Sequence, residues 1–125
     1  MAAVSREWDF PNTPDSIHRA RTAVREVVDD AANAETVEIV ALLVSEVVTN
    51  AFRHGSGNGP VRVRVTVDDA IKVEVRDSGD GFVPAPRGSA QDEPGGWGLY
   101  LVGSLAKEWG AESDGGTRVW FTLPL

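Results

Sequence analysis

The chain has 125 residues, no cysteine, and 19 acidic against 12 basic side chains, a net charge of −7. That length suits one domain with its own core, and the missing cysteine excludes a disulfide framework, a thiol nucleophile and thiolate metal sites. The charge repels a polyphosphate backbone, so direct nucleic-acid binding is not expected; with no apolar run near the roughly 18 residues of a membrane span and no secretion signal in residues 1–12, a soluble cytoplasmic protein is expected.

Residues 4–10, Val4-Ser5-Arg6-Glu7-Trp8-Asp9-Phe10, alternate as a first strand, which Pro11 to Pro14 ends. Thr13 followed by Pro14 then reads as N-cap and first helical position. A helix to about Ala32 is predicted, with Ile17, Ala20, Val24, Val27, Val28 and Ala31 as its apolar stripe. After a break near Asn33 and Ala34, a second helix runs from about Glu35 to His54, closed by Gly55 in the left-handed C-terminal position. Its inward face is Val37, Val40, Ala41, Val44, Val47, Val48 and Ala51.

At about 100° per residue, Ile39, Leu43, Glu46, Asn50 and His54 fall on one adjacent flank of this helix. That flank begins apolar and ends polar. A carboxylate and a carboxamide four residues apart stack one turn above the other at the rim of the core.

A flexible loop, residues 55–60, leads to the cleanest alternation in the chain. Val61, Val63, Val65 and Val67 stand against Arg62, Arg64, Thr66 and Asp68; then Ile71, Val73 and Val75 stand against Lys72, Glu74 and Arg76. Two such strands predict an antiparallel hairpin with helices on one face and water on the other. Asp77 continues the series 71, 73, 75 and so points into the apolar layer, where a carboxylate costs free energy unless hydrogen-bonded. Ser78-Gly79-Asp80-Gly81 follows; its glycines permit a tight turn and the close approach of a flat ligand. Taken alone, the segment is equally an ordinary turn.

Residues 82–94 hold three prolines and no period, as lids and binding loops often do. Gly95-Gly96-Trp97-Gly98-Leu99 then opens a third helix to about Trp109, with Leu99, Val102, Leu105 and Ala106 inward. Glycines at a helix start leave N–H groups free for phosphate, or simply admit close packing. A last pair of strands is predicted at roughly 111–113 and 117–123, with Val119, Phe121 and Leu123 facing the helices and Thr117 sharing their parity. Trp120 has the opposite parity and is expected on the wetter face, part-covered by neighbours. These elements make a two-layer α/β (α+β) sandwich, with a mostly antiparallel, mixed sheet of four or five strands under three helices.

There is no phosphate loop ending in Gly-Lys-Ser or Gly-Lys-Thr, no His-Glu-x-x-His helix and no Gly-x-Ser-x-Gly elbow. Glu46 with Asn50, Asp77 with Gly79 and Gly81, the glycines at 95–98 and Thr117 remain. In this order and on these elements they resemble the GHKL family of ATP-binding domains, the Bergerat fold of histidine kinases, Hsp90-type chaperones, gyrase B and MutL. Within it they are most similar to bacterial anti-sigma-factor serine kinases.

The resemblance spans the chain as one ATPase domain over residues 1–125, with a lid at about 82–95. It implies Asn50 as the Mg²⁺ ligand and Glu46 as the general base. It implies that Asp77 accepts from the adenine amino group, with Gly79 and Gly81 shaping that pocket and Thr117 supporting adenine. Gly96 and Gly98 would free the backbone around the phosphates. The cofactors would be ATP or ADP with Mg²⁺, and the partners an anti-sigma-factor antagonist or a sigma factor, in a possible homodimer. Two functions follow from the likeness, a serine/threonine protein kinase acting on the antagonist, or a nucleotide-dependent binding switch without phosphotransfer. A detached histidine-kinase catalytic domain is a third.

Overall fold

The computed structural model describes residues 3–54, 59–77, 102–113 and 116–125. Its described elements run β1 (Val4–Phe10), α1 (Ser16–Asp29), α2 (Ala34–His54), β2 (Val61–Val67) and β3 (Ala70–Arg76). A helical turn over 102–105 (α3) precedes β4 (Glu108–Ser113) and β5 (Thr117–Pro124). The sheet has five strands in the order β1-β2-β3-β5-β4. Each of its four pairings is antiparallel. The expected α+β sandwich is therefore present, its core between the sheet and the helices.

Strand parity decides the layers. Val61, Val63 and Val65 from β2, Ile71, Val73 and Val75 from β3, and Val119, Phe121 and Leu123 from β5 are all buried against Val40, Leu43, Val44, Val47 and Val48 of α2. β-Branched side chains suit this pleated surface, and their alternation with Arg, Lys and Glu fixes the register, because a one-residue slip would bury the charges. The opposite face is charged: Arg118 Nη2 lies 2.7 Å from a Glu74 carboxylate oxygen and Arg118 Nη1 3.0 Å from one of Glu112. Trp120 is half-buried there, with the Lys72 ammonium 5.1 Å from its ring centroid.

Local polar groups shift the helix starts. Thr13 does not cap α1. Asp15 holds the N-cap position in helical dihedrals with no side-chain capping bond. Thr13 Oγ1 instead donates to Asp15 Oδ1 at 2.7 Å, and the buried Ser16 hydroxyl donates to the Pro11 carbonyl at 2.6 Å. That bond holds residues 11–16 as a turn and delays the helix by two residues. At the far end, the amides of Ala31 and Ala32 both donate to Val28 O, which closes α1 at Asp29 and leaves Ala31 exposed. Asn33 caps α2, its Oδ1 accepting from Thr36 N at 2.9 Å.

The third helix does not run to Trp109. Ala106 N donates to Val102 O, then Lys107 N donates to Thr122 O at 2.8 Å, so the chain has already joined the sheet. Trp109 pairs with Phe121 inside β4, which begins three residues before the predicted strand, and Leu105, expected inward, is 39% exposed. Leu99 and the Gly55 helix stop lie outside the described residues.

Candidate functional site

α2 carries the polar pair on a helix whose other inward positions are all apolar. Asn50 is 4% exposed and Glu46, one turn earlier, is half-buried. The neighbouring hydroxyls are consumed by the helix itself: Ser45 Oγ donates to Ala41 O at 3.0 Å and Thr49 Oγ1 to Ser45 O at 2.6 Å. Among the described residues neither the Glu46 carboxylate nor the Asn50 carboxamide has a hydrogen-bond or ionic partner.

The sheet supplies the second half. Asp77 follows β3 directly and is 5% exposed; Thr117 opens β5 and is 2% exposed. The two continue the β3–β5 ladder beyond Arg76 and Arg118. Asp77 N donates to Thr117 O at 3.0 Å, and Thr117 N donates to Asp77 Oδ1 at 3.2 Å. Backbone therefore fixes the carboxylate's position as well as its burial. α2 packs on both β3 and β5, so these two side chains enter the interlayer space from the face opposite α2. Gly79, Gly81, Gly96 and Gly98 lie outside the described residues.

Glu46 has a further setting that the sequence reading missed. It ends a groove of about 510 Å³ between α1 and α2, whose walls include His18, Arg21, Arg25, Leu42 and Ser45. Arg25 spans the groove in a two-pronged pair with Glu38, at 3.1 and 2.5 Å. That guanidinium, donating hydrogen bonds, holds the Glu38 carboxyl below the usual carboxylate range. Arg21 Nη2 stands 2.8 Å from His18 Nδ1. Positions 18, 21, 22 and 25 recur at helical spacing, so this polar face of α1 was legible; that it meets Glu46 required the packing of α1 on α2.

The described residues hold no cluster of three or more His, Cys, Asp or Glu side chains able to bind a metal by themselves. No described helix is long and apolar enough to cross a membrane. A divalent ion at Asn50 would thus take the rest of its oxygen shell from a bound ligand and water, as Mg²⁺ commonly does with nucleotide phosphates. The single carboxamide oxygen that Asn50 offers fits that division of ligands.

Comparison with known proteins bears on the family and the fold. The family model described as the histidine kinase-like ATPase domain matches residues 10–123. The chain is similar to the solved RsbU and RsbW domains of Rv1364c from Mycobacterium tuberculosis, with a TM-score of 0.75 and 20% identity over 98% of this chain and 32% of that one. It is also similar to the histidine kinase domain of the blue-light activated histidine kinase EL346 from Erythrobacter litoralis, with a TM-score of 0.59 and 26% identity over 92% of this chain and 61% of that one. The chain thus spans about a third of the first and about three fifths of the second. No curated protein matches it.

Proposed function

The chain belongs to the histidine kinase-like ATPase domain family, and we propose that within it the protein is a Mg-ATP-dependent serine/threonine kinase of the anti-sigma-factor type, acting on a protein antagonist. One observation carries the reading. Glu46 is half-buried and unpartnered among the described residues, one turn from the buried Asn50 and at the end of an open groove. Nucleotide binding alone does not require a carboxylate in that place. A general base does, because it must reach an incoming hydroxyl while remaining close to the phosphoryl group.

The roles divide between the layers. Asp77, held by the Thr117 amide, accepts from the adenine amino group, and Thr117 supports the base beside it. The family resemblance assigns Gly79 and Gly81 to the adenine and Gly96 and Gly98 to the phosphates. Asn50 would supply one oxygen to Mg²⁺, and the ion would neutralise charge on the transferring phosphoryl group. Glu46 takes the proton from the acceptor serine or threonine as its oxygen attacks the γ-phosphorus and ADP leaves. In this reading an antagonist is the acceptor and a sigma factor the second partner, and the protein acts as a homodimer in the cytoplasm.

The test is transfer of label from γ-labelled ATP to candidate antagonist proteins. The expected product is phosphoserine or phosphothreonine, with Glu46→Ala lowering the rate at least a hundredfold, in the range of general-base removal, and nucleotide affinity changing less than threefold. Transfer that survives in Glu46→Ala would remove Glu46 from the chemistry. Tight Mg-ATP binding with no transfer to any antagonist would make the protein a nucleotide-dependent binding switch.

A further inference from the structure

α1 borders two grooves. The one at Glu46 uses its polar flank; the other lies on the opposite flank, where α1 meets the edge of the sheet, and the nucleotide reading leaves it unused. This second groove measures about 500 Å³, with Val4 and Trp8 of β1, Val27 of α1 and Leu125 among its apolar walls. Val4 and Leu125 are each 47% exposed, so its floor is open to water. Among the described residues β1 has a neighbour on one side only, β2, and its other edge carries backbone N–H and C=O groups available for pairing.

The charges around this edge are mostly negative. Among the described residues lining the groove, Glu26, Asp30 and Asp68 stand against a single cation, Arg6, whose guanidinium carbon lies 6.0 Å from the Trp8 ring centroid. Neither the Glu26 nor the Asp30 carboxylate has an ionic or hydrogen-bonded partner among the described residues. On the outer face of the same strand Glu7 and Asp9 share one guanidinium, that of Arg62, at 3.9 and 2.8 Å. A strand added to β1 would thus meet an apolar trough on one face and carboxylates on both sides of it.

We propose that this edge is a docking site for an extended segment of a partner protein, apolar at alternate positions and carrying Lys or Arg between them, which adds to the sheet as a sixth strand beside β1. Main-chain hydrogen bonds to the β1 edge supply part of the affinity, and the alternate apolar side chains, entering the trough of Val4, Trp8, Val27 and Leu125, supply the selectivity. The carboxylates exclude acidic segments and speed the encounter with basic ones. The site is separate from the nucleotide pocket, so its failure and that of the kinase reading are independent.

The probe is a fluorescein-labelled octapeptide of alternating lysine and valine, compared by anisotropy with its glutamate–valine counterpart. The lysine peptide is expected to bind at least tenfold more tightly, shifting the backbone amide resonances of residues 4–10. Ala31→Trp, which fills the groove from an exposed position without changing charge, is expected to weaken it at least tenfold. Glu26→Gln with Asp30→Asn, both exposed and safe for folding, is expected to weaken it about fivefold and serves if Ala31→Trp fails to fold. Lysine-peptide binding unaltered by these variants would be attraction to the net negative charge, and would overturn the proposal. So would a dimer, seen by light scattering, that Ala31→Trp dissociates, since a second copy would then occupy the groove.

Discussion

Asp77 is tied to Thr117 through both its carboxylate and its backbone. Its Oδ1 accepts from the Thr117 amide at 3.2 Å, and its backbone N–H donates to the Thr117 carbonyl at 3.0 Å, so the side chain is an extension of the β3–β5 ladder. Replacement by Asn keeps an oxygen acceptor for the Thr117 N–H but turns the other oxygen into a donor. An exocyclic adenine amine facing that position would then meet N–H against N–H. Asp77→Asn is therefore expected to fold with a nearly unchanged melting temperature and to lose at least tenfold in ATP and ADP affinity by isothermal titration. Equal affinity in the variant would take adenine away from Asp77. The parity of 71, 73, 75 and 77 made the inward direction of this carboxylate legible. Its bonds to Thr117 were not, because they depend on which strand lies beside β3 and in what register.

Between elements, Gly110 and Trp120 show why a pattern alone misplaced β4. Gly110 lies opposite Trp120 in the β4–β5 register, and a Cβ added at Gly110 would come within 2.7–2.8 Å of the indole. The ring therefore lies across the glycine, with the Lys72 ammonium 5.1 Å from its centroid. Gly110→Ala must displace the indole and is expected to cost about 1–3 kcal/mol, the range for overpacking. In a Trp120→Ala background the same change should cost little, a coupling that a double-mutant cycle by urea denaturation would measure. Additive effects would mean that the ring does not rest on the glycine. A sequence reader meets Trp109 and Gly110 after a helical stretch and extends the helix through the tryptophan; only the partners Phe121 and Trp120 identify a strand. The long periodic segments were legible because burial of a whole face outweighs any local preference. Leu43 is the largest fully buried side chain of α2, and Leu43→Ala is expected to cost about 2–5 kcal/mol by the same denaturation.

Across the molecule, the acid response follows from where the carboxylates sit. Arg62 hydrogen-bonds Asp9, Thr13 hydrogen-bonds Asp15 and Arg25 hydrogen-bonds Glu38, and each interaction lowers the carboxyl below its usual range. A group whose folded value is depressed adds stability while pH is above its unfolded value, about 4 for these residues. That contribution is lost as pH falls through the folded value, because the unfolded chain takes up protons first. The melting temperature is therefore expected to stay level from pH 7 to about 5 and to fall below about pH 4.5, without a maximum where the net charge vanishes near pH 4.7. All three groups are exposed, so 1 M salt should make the fall shallower. Arg62→Ala should reduce its depth by removing the guanidinium that Asp9 and Glu7 share. A decline already present between pH 7 and 6 would show that these three carboxylates do not set the acid response.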